Sequence, residues 1–358
     1  MPSLKEIKGR INSISSTLAI TSAMKMVASA KLQKAQMAIQ NMLPYERRLH
    51  SMLIDLMGAM NISAAASEDG SVRGSGSAER GFDQSGDRLS LSNRHDLAGM
   101  DGAYSLMAQR EVRKVAIVAF ASNSSLCGAF NSNAIREATA VINEYRASGL
   151  GDADITVYSV GRKMAEAMKK LGFPSPADFT KMSDSPSYDA ASALAQELFD
   201  GFVSGRFDKV ELVYNHYKST SSQPTTRQTY LPLSLADATA DLQAGKITDS
   251  ASETDTNKVA EPVGAPVVRQ GSPTTEDLIV EPSKEALIAT LLPKVIRLRI
   301  FTTLLDSAAA EHAARTVAMQ LATDNGNDLL QELTLEYNKG RQQKITSEIL
   351  DLVGGSMQ

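Results

Sequence analysis

The C-terminal residues Pro293 to Gln358 read PKVIRLRIFTTLLDSAAAEHAARTVAMQLATDNGNDLLQELTLEYNKGRQQKITSEILDLVGGSMQ. No proline follows Pro293, and apolar residues recur at helical intervals along the stretch. The pattern predicts one helix from Pro293 to Val353, roughly 90 Å long at a rise of about 1.5 Å per residue. A helix of this length needs a partner along its surface. The apolar positions are Leu298, Phe301, Leu305, Ala308, Met319, Ala322, Leu329, Leu333, Ile345, Ile349 and Leu352.

The N-terminal residues offer that partner through a heptad repeat. Only Thr21 and Lys25 interrupt its apolar a and d positions, and the repeat continues past Pro44, which is expected to kink the helix without ending it. A seam sustained over so many heptads is typical of a coiled coil, so we predict an antiparallel rod made from the two chain ends. The a and d positions are Leu4, Ile7, Ile11, Ile14, Leu18, Thr21, Lys25, Ala28, Leu32, Ala35, Ile39, Met42, Leu49, Leu53 and Leu56.

Length and composition argue against several classes of protein. The chain has 358 residues, of which 42% are hydrophobic, with one cysteine and four histidines. The longest apolar run, Val115 to Ala121, is far too short to cross a membrane, and the N-terminus lacks a signal-peptide pattern. One cysteine cannot form an internal disulfide or a cysteine metal cage. We therefore expect a cytoplasmic protein, and the net charge of −4 argues against nucleic-acid binding.

Positive charge is concentrated in the first predicted helix. Residues 1–48 carry eight lysines and arginines against two glutamates. This excess fits a solvated face of the coiled coil, and it also fits a basic shaft that faces acidic partners.

The middle of the chain alternates short strands with helices. Lys114 to Ala121 is a continuous apolar run, as found in strands buried on both faces of a parallel sheet. The alternation that follows predicts a small βαβ, Rossmann-like domain with a parallel sheet. The further predicted strands are Asp154–Val160, Lys209–Tyr217 and an edge strand over Gln228–Leu233. The predicted helices are Asn131–Ala147, Gly161–Leu171, Tyr188–Val203 and a short one over Ser283–Leu292.

The predicted fold class is therefore α/β plus a long antiparallel coiled coil, divided into five segments. Residues 1–61 form the N-terminal shaft helix, 111–233 the α/β domain and 274–358 the C-terminal shaft helix. The two remaining segments, 62–110 and 234–273, are rich in small and polar residues. Such segments bury too little apolar surface to offset the entropy of ordering, so we predict that both are disordered inserts.

The turn after the first strand, Ser122 to Asn131, is where a Rossmann-like domain would bind phosphate. It holds one glycine, Gly128, and matches neither GxGxxG nor GxxxxGK[ST]. No histidine lies near Cys127 in sequence, so we expect a buried thiol. His312, among alanines, is expected to pack in the coiled coil. We therefore predict no catalytic residue, no cofactor and no metal site.

Five stretches resemble the gamma subunit of F-type ATP synthase, and they cover both terminal helices and the α/β domain. The family's usual Asp-Arg-Gly before Leu-Cys-Gly is replaced here by Asn123-Ser124-Ser125. The stretches are Met24–Gln36 (MKMVASAKLQKAQ), Leu126–Asn131 (LCGAFN), Glu311–Met319 (EHAARTVAM), Ala322–Asn325 (ATDN) and Ile345–Gly354 (ITSEILDLVG).

The resemblance implies a rotor without a catalytic site of its own. In this family the terminal helices form a shaft inside a ring of alpha and beta subunits, and the α/β domain lies against the epsilon subunit and the c-ring. It also implies a peripheral position on the cytoplasmic face of the bacterial inner membrane, with membrane association only through the Fo sector. The implied contacts between shaft and ring are Met24, Lys25, Arg341, Gln342, Thr346 and Glu348. The implied bearing tip is formed by Leu350, Leu352 and Val353.

The sequence leaves open the role of Lys25 and one alternative function. Lys25, at an a position, either faces a partner subunit or sets the register within the helix pair. The alternative function is a non-rotary coiled-coil scaffold carrying an α/β domain, although the apolar stretch Ile345 to Val353 favours a partner-facing tip. An enzyme built on the α/β domain lacks a candidate site.

Brief proteolysis should cut first within residues 63–101 and 234–273, because these segments lack the apolar residues that would hold them in a fold. Mass spectrometry of the first fragments measures this, and the assembled complex should survive the cuts. Strong amide-exchange protection across either segment would contradict the prediction.

Overall fold

The computed structural model describes residues 3–59, 106, 110–233 and 284–356. The predicted insert 234–273 lies wholly outside the described residues, as does the insert 62–110 except for residues 106 and 110. The helices are α1 Leu4–Ala59, α2 Phe130–Ala147, α3 Arg162–Lys170, α4 Thr180–Asp184, α5 Tyr188–Val203 and α6 Lys284–Ser356, with a 3₁₀ turn at Asp152–Asp154. The strands are β1 Val115–Phe120, β2 Ile155–Val160, β3 Lys209–Asn215 and β4 Thr225–Leu231.

The two terminal helices form the predicted antiparallel pair, hereafter the shaft. Leu18 lies against Gly326, where an added Cβ would come within 2.6 Å of Leu18 Cδ2, and Leu4 lies against Gly340 in the same way at 3.1 Å. The hydroxyl of Thr323 donates a hydrogen bond to that of Thr21 at 3.2 Å. As the residue number rises along α1, the number of its contact residue on α6 falls. The prediction of an antiparallel pair is therefore confirmed.

The predicted heptad seam is the contact face of α1. Every a and d residue from Leu4 to Met42 is buried or half-buried, whereas most of the positions between them are exposed. Thr21, which breaks the apolar pattern, is accommodated by its hydrogen bond to Thr323. Pro44 lies inside α1 without ending it, as predicted.

The prediction that the second shaft helix begins at Pro293 is wrong. The helix begins at Lys284 and runs for 73 residues, roughly 110 Å at the helical rise, so the separate short helix predicted over Ser283–Leu292 is its first part. Residues on both sides of Pro293 are buried in the core of the α/β domain, Ile288 and Leu292 before it and Val295 after it. This packing keeps the segment helical although proline removes one hydrogen bond of the helix.

The α/β domain has a four-stranded sheet with the order β2-β1-β3-β4. Strand β1 is parallel to both β2 and β3, and β4 is antiparallel to β3. The predicted α/β class is confirmed, but the sheet is mostly rather than wholly parallel. The predicted edge strand is antiparallel because the short loop 216–224 can only return the chain as a hairpin.

The core of the α/β domain includes both shaft helices. One face of the sheet packs against α2 and α3. The other face packs against α5, against Leu49 and Leu53 of α1, and against the first third of α6 from Ile288 to Leu304. Helix α6 therefore serves first as a core helix of the α/β domain and then as half of the shaft.

A buried carboxylate fixes the hairpin that extends towards the shaft. Glu211 on β3 accepts hydrogen bonds from Arg227 on β4 at 2.7 Å and from the hydroxyl of Tyr145 on α2 at 2.6 Å, and it pairs with Lys209 at 2.7 Å. Burial acts to raise the pKa of Glu211, but hydrogen bonds from Arg227, Lys209 and Tyr145 hold that pKa below its usual value. Strand β4 and the loop before it are thus fixed to the sheet and to α2.

Replacing Gly326 by leucine should destabilise the shaft by about 1–3 kcal/mol, because the new side chain overlaps Leu18 in a packed seam. Gly9→Leu is the matched control, since an added Cβ there meets nothing within 4 Å. Both substitutions remove the same helical penalty of glycine, about 1 kcal/mol, so their difference measures the clash.

Pulse proteolysis in urea measures the stability of each variant. Adding Leu18→Ala should recover part of the loss caused by Gly326→Leu, as expected for residues in contact. Equal stability of Gly326→Leu and Gly9→Leu would show that the register is wrong.

Candidate functional site

The end of α6 extends beyond the N-terminus of α1. Because Leu4 lies opposite Gly340, residues 341–356 continue as a single helix with no described part of α1 beside them. Every residue from 341 to 350 is exposed. Four of the predicted contact residues, Arg341, Gln342, Thr346 and Glu348, therefore lie on an unpaired helical segment, hereafter the projecting segment (341–356).

The polar side chains of the projecting segment make contacts within their own helix. Glu348 pairs with Lys344 at 3.8 Å, and the hydroxyl of Thr346 donates to the carbonyl oxygen of Gln342 at 2.9 Å. Both carboxylate and ammonium are well over half exposed, so the pair contributes little to stability. These side chains can therefore exchange their contacts for those of a partner at small cost.

Apolar side chains of the projecting segment are exposed together. Leu350 is 65% exposed and Leu352 is 74% exposed, and Ile345, Ile349 and Val353 are each about half exposed. An apolar cluster of this kind on a polar helix marks an interaction surface. The predicted bearing residues Leu350, Leu352 and Val353 all belong to it.

Met24 and Lys25 lie elsewhere on the shaft. Met24 is 42% exposed, and Lys25 lines a shallow hollow with Thr220 of the β3–β4 loop and Val317 and Asp324 of α6. The register of the pair places this hollow about 30 Å along α6 from the projecting segment. The structure therefore divides the six predicted contact residues into two groups, which it does not bring together.

At the carboxyl edge of the sheet, where a doubly wound fold usually binds a ligand, the segment after β1 packs against the shaft. Cys127 from the loop after β1 and Phe130 at the start of α2 pack with Ala310 and Ala314 of α6. Arg315 of α6 donates to the hydroxyl of Ser124 at 2.7 Å, which ties this loop to the shaft. The Cys127 thiol is buried, as expected.

His312 is a half-buried residue of the shaft, as expected from its place among alanines. Burial lowers its pKa to about 4, and the charges of Arg315 and Lys31 act in the same direction. The imidazole is therefore neutral at physiological pH. In the described parts of the chain, no group of three or more histidine, cysteine or acidic side chains could hold a metal ion.

One contact point between the α/β domain and the shaft gave no signal in the sequence. Asp306 of α6 accepts a hydrogen bond from the backbone N–H of Tyr217 at 2.9 Å and pairs with Nδ1 of His216 at 2.7 Å. The hydrogen bond and the charge of Asp306 raise the pKa of His216, although burial opposes them. The Tyr217 hydroxyl accepts a hydrogen bond from the Gln36 amide of α1 at 2.6 Å. Long-range contacts of this kind leave no periodic pattern in a sequence.

Among the described residues, no helix is both long enough and apolar enough to span a membrane. The projecting segment and the hollow at Lys25 thus remain the two candidate surfaces for partners. Both are convex or shallow and present mixed apolar and polar side chains.

Comparison with known proteins gives consistent matches over the whole chain. The ATP synthase family matches residues 3–357. An ATP synthase gamma chain of Phocaeicola vulgatus is 47% identical over 357 residues, which cover 100% of both chains. A gamma chain of Bacteroides thetaiotaomicron is 45% identical over 358 residues, again covering 100% of both chains.

The fold is similar to that of a solved rotor chain. A chain from the rotor of the Euglena gracilis mitochondrial ATP synthase superposes with a TM-score of 0.52 and 19% identity, covering 96% of this chain and 98% of that one. At this identity the match concerns the fold alone. The full-length family match and the identities to the bacterial relatives show that the chain belongs to the ATP synthase gamma chain family.

Proposed function

We propose that this chain is the central rotor shaft of an F1Fo ATP synthase and transmits rotation of a c-ring to catalytic beta subunits. The observation that carries the proposal is the projecting segment, a single helix with an exposed apolar end on a shaft whose other end is part of an α/β domain. The apolar end is suited to turn inside a ring of alpha and beta subunits. The α/β domain is suited to bind the epsilon subunit and the c-ring.

The physical mechanism is a shift of population among conformations of the beta subunits. A shaft of two unequal helices presents a different surface in each direction, so each beta subunit meets a different face. A face that contacts one beta conformation better than another favours that conformation by the difference in contact free energy. Rotation changes which face each beta subunit meets, and its site passes in turn through states that bind ADP and phosphate, form ATP and release it.

The proposed contacts occupy two levels of the shaft. We propose that Met24 and Lys25 face the ring at the middle level, where Lys25 is half-buried and lines the hollow. Arg341, Gln342, Thr346 and Glu348 face it on the projecting segment. Leu350, Leu352 and Val353 form the tip that turns in an apolar bearing.

In this mechanism the chain itself catalyses no reaction. We propose that it has no catalytic site, cofactor or metal of its own, and that the nucleotide sites belong to the partner subunits. The packing of the turn after β1 against α6 supports this, because a doubly wound domain would bind a nucleotide at that turn. The proposed location is the cytoplasmic face of the bacterial cell membrane, where the chain is held through the c-ring.

A static scaffold is the competing function, and the apolar tip argues against it. A scaffold that ended in solvent would gain nothing from an exposed cluster that includes Leu350 and Leu352. A crosslink between the shaft and one beta subunit separates the two functions, because only a rotor must move past that subunit.

Thr346→Cys paired with a cysteine on the facing loop of one beta subunit should stop ATP hydrolysis on oxidation, with recovery on reduction. The loss should equal the crosslinked fraction measured on a non-reducing gel. Thr346→Cys opposite an unmodified beta subunit is the control and should keep its activity under the same oxidant. Full turnover by a complex proven to be crosslinked would refute the rotor.

The double variant Lys25→Ala with Glu348→Ala should lower proton-driven synthesis while the complex still assembles. Exposed ion pairs are each worth under about 1 kcal/mol, so their loss should weaken coupling without preventing assembly. Lys163→Ala with Glu166→Ala is the matched control, because it removes an exposed pair of the α/β domain. Unchanged synthesis and hydrolysis in the shaft variant would show that these contacts are incidental.

A further inference from the structure

Helix α1 is held by the α/β domain at two levels. At the lower level, Leu49 and Leu53 are buried in the core of that domain. At the upper level, the amide of Gln36 donates a hydrogen bond to the hydroxyl of Tyr217 at 2.6 Å. Pro44 lies in α1 between these two levels.

Pro44 makes this part of α1 a weak point. Proline has no N–H to donate to the preceding turn, and its ring pushes against the carbonyl of that turn, so a helix bends most readily there. The Pro44 side chain is exposed, and the residue after it is exposed as well. Met42 packs against the core of the α/β domain and Leu43 is half-buried, so the turn before Pro44 is supported by packing. The Gln36 contact lies further along α1, on the shaft side of Pro44.

Tyr217 is well placed to bridge the weak point. Its ring packs beside Leu32 of α1 and Ala309 and Ala313 of α6. It also packs beside Cys127 of the loop after β1 and Phe130 at the start of α2. Its backbone N–H is held by Asp306 at 2.9 Å. One side chain thus contacts both shaft helices and the α/β domain.

Tyr217 is also connected to the α/β domain through the hairpin that carries it and to the shaft through Asp306. The loop that carries it is the β3–β4 hairpin, which the hydrogen bonds of Glu211 to Arg227 and Tyr145 fix to the sheet. Asp306 extends from a part of α6 that directly follows the core segment ending at Leu304. These contacts give a continuous path from the sheet of the α/β domain to Tyr217.

We propose that Tyr217 braces α1 against the α/β domain across Pro44, so that torque applied to the domain turns both shaft helices together. This inference rests on the rotor function proposed above. Tyr217 is a positioning residue, since it touches no substrate. Without it α6 would still turn, because α6 is part of the domain core. On the shaft side of Pro44, α1 would then follow only through Met42 and its seam with α6, and a bend at Pro44 would let it lag.

Such a lag should affect the coupling of proton pumping to ATP hydrolysis more than the rate of hydrolysis itself. The beta subunits respond to the combined surface of both helices. If α1 lags behind α6, that surface loses its fixed relation to the c-ring, and hydrolysis proceeds with fewer protons moved per ATP. A loss of ordinary stability would lower hydrolysis and pumping together.

The test uses the whole complex in vesicles and measures protons pumped per ATP hydrolysed. Tyr217→Ala should lower this ratio severalfold, and Tyr217→Phe, which keeps the ring and loses the hydrogen bonds of the hydroxyl to Gln36 and Thr220, should lower it slightly. Tyr188→Ala is the control, because it removes an aromatic contact between the domain and Phe301 of α6 without involving α1. Its ratio should match that of the unmodified complex.

Removing the weak point should suppress the defect. Pro44→Ala restores the missing backbone donor, so Tyr217→Ala with Pro44→Ala should recover most of the ratio, a coupling that two independent sites would not show. Spin labels at Ser22→Cys on α1 and Glu166→Cys on α3 should give a broader distance distribution in Tyr217→Ala and a narrow one in the double variant. The native Cys127, 1% exposed, is too buried to take a label.

Three results would overturn the brace. They are an unchanged ratio and distance distribution in Tyr217→Ala, an equal fall of hydrolysis and pumping, and a defect that Pro44→Ala fails to suppress. If Thr346→Cys crosslinking still stops turnover in that case, the rotor stands and the brace alone is wrong.

Discussion

The packing of α6 against two different partners is the constraint on which the rest of the structure depends. From Ile288 to Leu304 the helix belongs to the core of the α/β domain, and from Ala309 onwards it packs along α1. Fully burying an aliphatic side chain contributes about 1.5–3 kcal/mol, so the core segment alone anchors the helix firmly. A single continuous helix then joins the domain and the shaft without a hinge of loop residues between them.

The register of the shaft follows from two glycines. Gly326 and Gly340 are two heptads apart, and they receive Leu18 and Leu4, which are also two heptads apart. A shift of one heptad would place Leu18 opposite Met319 or Leu333, where a large side chain already fills the seam. The glycines thus select one register among several that the heptad pattern allows, and that register leaves residues 341–356 to project beyond α1.

The projecting segment shows how a fold can create a functional surface by leaving a helix unpaired. Its apolar residues continue the helical spacing seen lower on α6, where Met319 and Leu333 are buried. Ile349 and Leu352 follow the same spacing but are exposed. Helix α1 begins at Leu4, opposite Gly340, so no described part of α1 lies beside them. The surface is therefore available to partner subunits.

The sequence by itself determined the features that depend on local periodicity. It predicted the two long helices, their antiparallel pairing and nearly every strand and helix of the α/β domain, because spacings of two and of three to four residues reflect burial directly. The resemblance to a known family also pointed to residues of the projecting segment as contacts with partner subunits. Leu4 and Leu18 are separated by the same number of residues as Gly326 and Gly340. This equal spacing indicates the register, but it could be recognised only once the structure showed that these residues meet.

Tertiary structure alone decided which parts of these elements meet. Helix α6 continues across Pro293, because packing in the core of the α/β domain outweighs the loss of one helical hydrogen bond. Tertiary structure also made β4 antiparallel, separated Lys25 from Glu348 along the shaft, and brought Tyr217 to Gln36 across 181 residues of chain. Contacts between residues so far apart in sequence depend on the position of whole elements, and no local pattern of residue types encodes that position.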